Sequence, residues 1–292
     1  VLNFTKKSLM AASVALAMSC GFATTAQAAD KKEVTIGWTA WSDAEFVTKL
    51  TKKILEDRMD IKVNLTMADI GIQYLGLQNG DMDFMMMSWL PNTHEDYWGK
   101  TRTKADTLGI VYTDAVLGWA VPAYVDEKIQ TIEDLKANAD MFDGKVQGID
   151  PGAGLMRLSE KAIKDYGLDG FKLQSSSGAA MTAALARAVK REEPIIVTTW
   201  KPHWMFGKYE MRMLKDPKAV LGKEEHVDIK ARAGFYQEFP DVAAFLSRVY
   251  LPIDELQAYM FKASETSYEE AVDEYIKVNG KKVDYWVTGE LK

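Results

Sequence analysis

Short apolar runs alternate with segments of helical period along most of this chain, and that alternation leaves it few folds. Residues 34–38, 61–67 and 82–87 (the last apolar but for Asp83) read as strands. Between them Phe46, Val47, Leu50, Ile54 and Leu55 recur at helical spacing, and 72–77 begins a second helix. Further on, 115–121, 146–149 and the β-branched run 195–199 read as strands, 155–166 and 179–190 as helices, and the chain from Pro240 onward as mostly helical. Such β–α alternation implies an α/β fold of mainly parallel sheets flanked by helices. Sheets of that kind place ligands at the carboxyl ends of their strands.

The first residues bear on compartment. Lys6 and Lys7, an apolar stretch over 11–17 and the small-residue site Ala26-Gln27-Ala28 make residues 1–28 a secretory signal peptide, so the mature chain is expected to be periplasmic or extracytoplasmic. A lipid anchor at Cys20 is the lesser alternative, because Ala17-Met18-Ser19-Cys20 matches a lipoprotein box poorly. Cys20 is the one cysteine, so no disulfide holds the mature chain together. Without the two leader lysines, 34 basic side chains face 42 acidic ones, a net charge of −8. That balance argues against nucleic acid as a partner.

Eight tryptophans punctuate the pattern, and their positions matter more than their number. Trp38 and Trp41 follow the first strand, Trp89 ends the methionine-rich strand, Trp119 lies on the strand before Pro122, and Trp200 ends the strand over 195–199. Several indoles at strand ends suggest one shared cleft. Indole faces suit a quaternary ammonium, which cannot donate hydrogen bonds and whose methyls pack on apolar walls; each face adds roughly 0.5–2 kcal/mol when desolvated. Trp98 and Trp286, away from strand ends, read as structural.

Two segments suit an anion. Asp150-Pro151-Gly152-Ala153-Gly154 follows a strand and precedes a helix, offering free N–H groups to a carboxylate. His203, in Trp200-Lys201-Pro202-His203-Trp204, adds a donor beside the same cleft. Ser42-Asp43-Ala44-Glu45 reads as a capping box, which by itself accounts for Ser42 and Glu45 and leaves Asp43 either a helix-start residue or a ligand contact. Three histidines, no mature cysteine and a lone His94-Glu95 give no metal site, no cofactor is implied, and no Gly-x-Ser-x-Gly elbow is present, so the chain does not read as an enzyme.

The segments 37–43 (Gly-Trp-Thr-Ala-Trp-Ser-Asp), Trp89-Leu90-Pro91, 148–154 and 200–204 resemble the glycine betaine/choline family of ABC-transporter substrate-binding proteins, and the likeness runs over nearly the whole mature chain. The resemblance implies a two-lobed periplasmic binding protein fold of the type II kind, closing on its ligand, and a partner permease with its ATPase. The lobes would be residues 31–121 plus 228–292, and 122–227. By position, Trp41, Trp89 and Trp200 match the family's aromatic cage, and Trp119 falls where choline-type members place a tyrosine. Asp43 aligns with an acid of choline binders, at a place where betaine binders use backbone amides (Asp43 and Ala44 in this chain). Gly152, Ala153 and Gly154 match a segment that touches the ligand from the second lobe. Glycine betaine is the favoured ligand, because the capping box already explains the Asp43 stretch and the second-lobe donors need an acceptor. Choline follows if Asp43 faces the cage. A sensory module presenting the same solute to a receptor, and a hydrolase with an aromatic cleft, are the rival readings.

Overall fold

The computed structural model describes residues 32–291, so the leader and Cys20 lie outside the described residues. Strand β1 (Glu33–Trp38) buries Val34 and Ile36 and feeds helix α1 (Ser42–Met59), whose buried stripe contains Phe46, Val47, Leu50, Ile54 and Leu55, the residues picked out by their period. Full burial of each such side chain contributes roughly 1.5–3 kcal/mol, which holds α1 on the sheet. Then follow β2 (Lys62–Met67), α2 (Ile70–Asn79) and β3 (Phe84–Leu90). All seven residues of β3 are buried, as expected of a strand covered on both faces. β1 pairs parallel with both β2 and β3.

After α3 (Glu95–Thr101) comes β4 (Ala105–Pro122), an 18-residue strand. A 3-10 stretch (Glu133–Phe142) leads to β5 (Lys145–Gln147), α4 (Gly154–Asp165), β6 (Lys172–Gln174), α5 (Gly178–Arg191) and β7 (Val197–Lys201). The short α6 (Met205–Lys208) and β8 (Met211–Met213) precede β9 (Glu225–Arg232). Helices α7 (Phe235–Glu238), α8 (Pro240–Arg248), α9 (Ile253–Glu265), α10 (Tyr268–Val278) and α11 (Gly280–Thr288) complete the described chain. Among the described residues no helix is long and apolar enough to cross a membrane.

The strands lie in the order β2-β1-β3-β9-β4-β7-β5-β6, with β8 alongside β4. The outer trios β2-β1-β3 and β7-β5-β6 are parallel, as the alternation of strands and helices demands. The strands between them are antiparallel: β9 with β3 and β4, and β4 with β7 and β8. The sheet is therefore mixed. β4 exchanges partners along its length, pairing with β9 up to Ala115 and with β7 from Val116. Two apolar clusters follow from this exchange. One gathers β1–β3, α1 and the C-terminal helices; the other gathers Trp119, Val121, Phe142, Val146, Phe171 and Ile196. The carboxyl ends of β1, β3, β5 and β7 bring their following segments together where the halves meet.

Candidate ligand-binding site

A small, mostly apolar cavity lies at that junction. Three indoles line it: Trp41 from the turn after β1, Trp89 from the end of β3 and Trp200 from β7. All are buried, and the Trp41 and Trp200 ring centres stand 6.3 Å apart at 59°. Cis peptide bonds occur at Leu90-Pro91 and Lys201-Pro202, just beyond two of the three. Trp89 is braced edge-on by Tyr112 at 6.2 Å, and Trp200 by His203 at 4.6 Å.

From the other side, Ala153 and Gly154 bring the N-terminus of α4 to the cavity. Gly152 is outside the lining; its carbonyl accepts a hydrogen bond from the Tyr97 hydroxyl at 2.8 Å. The remaining wall includes Leu117, Ile149, Leu155, Thr93 and His94.

His94 went unread in the sequence except as half of an unsuccessful metal motif. Its Nδ1 accepts the Trp89 backbone N–H at 3.0 Å, which places the ring proton on Nε2. Burial, with a smaller contribution from the charge of Arg157, pushes its pKa down to about 3, so the imidazole is neutral at physiological pH. Nε2 is buried and has no hydrogen-bond partner among the described residues, and the ring stacks on Trp41 at 6.1 Å and 26°. The signal that could have found it was proximity: it lies five residues beyond Trp89, on the loop that closes back on that tryptophan. Glu225 at the start of β9 fixes this loop, accepting the N–H groups of Asn92 and Thr93 at 2.8 and 2.9 Å and the Thr93 hydroxyl at 2.7 Å.

The remaining sequence candidates sit elsewhere. Trp119 does not line the cavity; it is fully buried in the second apolar cluster and its Nε1 donates to Ser159 Oγ at 2.9 Å. Leu117, two residues back on the same strand, holds the wall position instead. His203 lies behind Trp200: its Nδ1 accepts the Met205 N–H at 3.1 Å, and burial lowers its pKa to about 3. The capping box does not form. Trp41 is the N-cap and makes no side-chain cap bond; Ser42 Oγ is buried without a partner, and Glu45 pairs with Lys49 at 2.8 Å. Ser42 is thus the first helical residue, one position too late to cap.

Asp43 is neither solvent-facing nor part of the cavity lining. It is 1% exposed and accepts two side-chain bonds, from Tyr112 Oη at 2.6 Å and from Trp200 Nε1 at 2.9 Å. Burial raises its pKa, while those two bonds and the amides of Asp43 and Ala44 act the other way. Ala44 is buried, and its amide serves the Asp43 carboxylate rather than the cavity. A complementary contact runs in the opposite direction, with Trp41 Nε1 donating to Asp150 Oδ2 at 3.0 Å.

A sequence model of the substrate-binding domain of ABC-type glycine betaine transport systems matches residues 32–278. The chain belongs to this family. Among the family's characterised members, it is 35% identical over 196 residues to the glycine betaine/carnitine transport binding protein GbuC of Listeria monocytogenes, a match spanning 66% of this chain and 63% of that one. Its fold superposes with a TM-score of 0.82 on lactococcal OpuAC in the closed conformation complexed with glycine betaine, at 33% identity, covering 88% of this chain and 100% of that one. An ABC-transporter choline-binding protein in complex with choline gives the same TM-score at 26% identity, covering 89% and 92%. The family's two-lobed α/β architecture is therefore the architecture of this chain. Its relatives are transport binding proteins rather than enzymes.

Proposed function

We propose that the protein captures glycine betaine in the cavity between its halves, outside the cytoplasm, and delivers it to a membrane permease driven by an ATPase. One observation carries the choice of ligand: three indoles line the same small cavity as His94, whose buried Nε2 has no hydrogen-bond partner among the described residues. The indoles of Trp41, Trp89 and Trp200 offer π-faces to a trimethylammonium group. His94 Nε2–H, with the amides that open α4 at Gly154, offers donors to a carboxylate. A zwitterion carrying both groups leaves neither wall unmatched. Leaving His94 Nε2 without an acceptor in the filled cavity would cost about 1–3 kcal/mol.

The lobes of this proposal are residues 31–121 plus 228–292, and 122–227. The partner exchange in β4 and the return of the chain at Glu225 lie close to both crossings and support the division. Hinging at these strands would open and close the cavity. The betaine complex of lactococcal OpuAC and the names of the relatives support the ligand class and the transport role.

Choline is the second reading, favoured by one feature: the Asp43 carboxylate stands behind Trp200, where negative charge would favour a net cation. Titration calorimetry of refolded, ligand-free protein with glycine betaine, choline, proline betaine and carnitine separates the two. Glycine betaine is expected to bind most tightly. A panel in which no quaternary ammonium binds would overturn the transport reading, and choline binding more tightly than glycine betaine would overturn the ligand.

A further inference from the structure

Two of the three cavity indoles are held by acids from across the junction, and in opposite senses. Trp41, beside β1, donates Nε1–H to Asp150, beside β5. Trp200, on β7, donates Nε1–H to Asp43, on α1. An indole has one donor and a flat face, so fixing the direction of the N–H in a ring already tethered at its Cβ limits where the face can point. Each acceptor belongs to the half that the tryptophan does not.

We propose that Asp150 and Asp43 are positioning residues, each orienting the tryptophan of the opposite half so that the aromatic walls are completed by closure itself. This rests on the binding function proposed above and adds residues that touch the walls rather than the solute. Each is a direct indole N–H to carboxylate bond, at 3.0 and 2.9 Å. Two such bonds bridging the junction resist reopening. Their loss acts on the dissociation step, because in the open form neither bond exists and encounter with the solute does not depend on them.

Asp150 gives the cleaner test, being only partly buried and outside both apolar clusters. Stopped-flow kinetics with glycine betaine and with choline would be compared for wild type, Asp150→Ala, Asp150→Asn, Trp41→Phe and the Trp41→Phe/Asp150→Ala double variant. In Asp150→Ala the dissociation rate is expected to rise about tenfold with little change in association. Asp150→Asn keeps an acceptor oxygen and should recover most of the loss. In the Trp41→Phe background, which has no N–H to donate, Asp150→Ala should add nothing. The same cycle with Asp43→Asn and Trp200→Phe tests the second bond, with Asn again expected to retain most of the effect. An unchanged dissociation rate in Asp150→Ala, or an equal increase with and without the Trp41 indole, would overturn the positioning role while leaving the binding function standing. Failure of wild type to bind either solute would instead overturn the functional reading and the proposal with it.

Discussion

The carbonyl oxygen of Thr93 stands 2.1 Å from where a Cβ on Gly154 would sit. Thr93 belongs to the loop after β3 and Gly154 opens α4, so the two halves touch at a point that only glycine allows. Gly152, two residues earlier, has nothing within 4 Å of the equivalent position. The sequence gives both glycines the same role, but the structure separates them. Gly154→Ala is expected to hold the halves apart and weaken solute binding at least tenfold, whereas Gly152→Ala should bind as wild type. Calorimetry of the two variants checks this, and equal affinities would mean that the Thr93 contact is not part of the bound state.

The tryptophans divide in the same way. Trp89→Ala and Trp200→Ala each remove a cavity face and are expected to weaken binding by about 1–3 kcal/mol, with smaller losses for phenylalanine. Trp119→Phe should leave affinity unchanged while lowering the melting temperature, because it loses the Ser159 bond and packing volume in the second apolar cluster. Affinity and thermal unfolding measured side by side distinguish a wall residue from a core residue. A large affinity loss in Trp119→Phe would return that tryptophan to the site.

Much of the fold was legible because β3 is a nearly continuous apolar run, β1 and β7 are rich in β-branched and aromatic residues, and α1 has an unbroken period. β9 was not, since its sequence carries His226, Asp228, Lys230 and Arg232 and reads as polar. In the folded chain Lys230 is 1% exposed, pairs with Asp228 at 2.7 Å and lies over the Trp98 ring at 3.8 Å, so charges that look solvated compensate one another inside the sheet. The indoles that line the cavity were legible because each ends or follows a strand, and the same reading extended the expected lining too far. It failed at Trp119 because residues two apart share a face of a strand, and sequence parity cannot say how far along β4 the cavity ends. It failed at Asp43 because a local capping pattern was outweighed by two distant donors, Tyr112 and Trp200.

Acid should destabilise this fold through its buried histidines. His94 and His203 are held neutral to about pH 3 by burial, whereas in the unfolded chain both titrate near 6.5. Below that value the unfolded state takes up protons that the native state refuses until near pH 3. Stability is therefore complete above about 6.5 and falls as pH drops through this window, by about 1.4 kcal/mol per pH unit for each histidine. Asp43, whose pKa is raised, works in the opposite sense and offsets part of the loss in the carboxylate range. Thermal unfolding between pH 7.5 and 4.5 should show a steep decline that becomes shallower in His203→Asn, where an amide oxygen can still accept the Met205 N–H. Binding itself should be flat from pH 6 to 8, because His94 remains neutral throughout. An unaltered slope in His203→Asn would contradict the linkage.

The choice between zwitterion and cation turns on Asp43. Its carboxylate sits behind the Trp200 indole, and burial disfavours its charge. A choline molecule brings a full positive charge to the cavity and would be stabilised by an ionised Asp43. Glycine betaine carries its own carboxylate, so the attraction of its ammonium end is offset by repulsion of the other. Asp43→Asn removes the charge but keeps an oxygen for Trp200 Nε1–H and an amide that can donate to the Tyr112 hydroxyl, so the wall should stay in place. Removing a buried charge also relieves a desolvation penalty, and the melting temperature should not fall. Choline is expected to weaken by about 1–2 kcal/mol more than glycine betaine, on the order of five- to thirtyfold, as befits a partly screened interaction between charges in a protein interior. Competition calorimetry with both ligands on wild type and variant measures that difference directly. Equal changes for the two solutes would mean that Asp43 acts on binding only by holding Trp200, and that the selection of glycine betaine rests with His94 and the amides of α4.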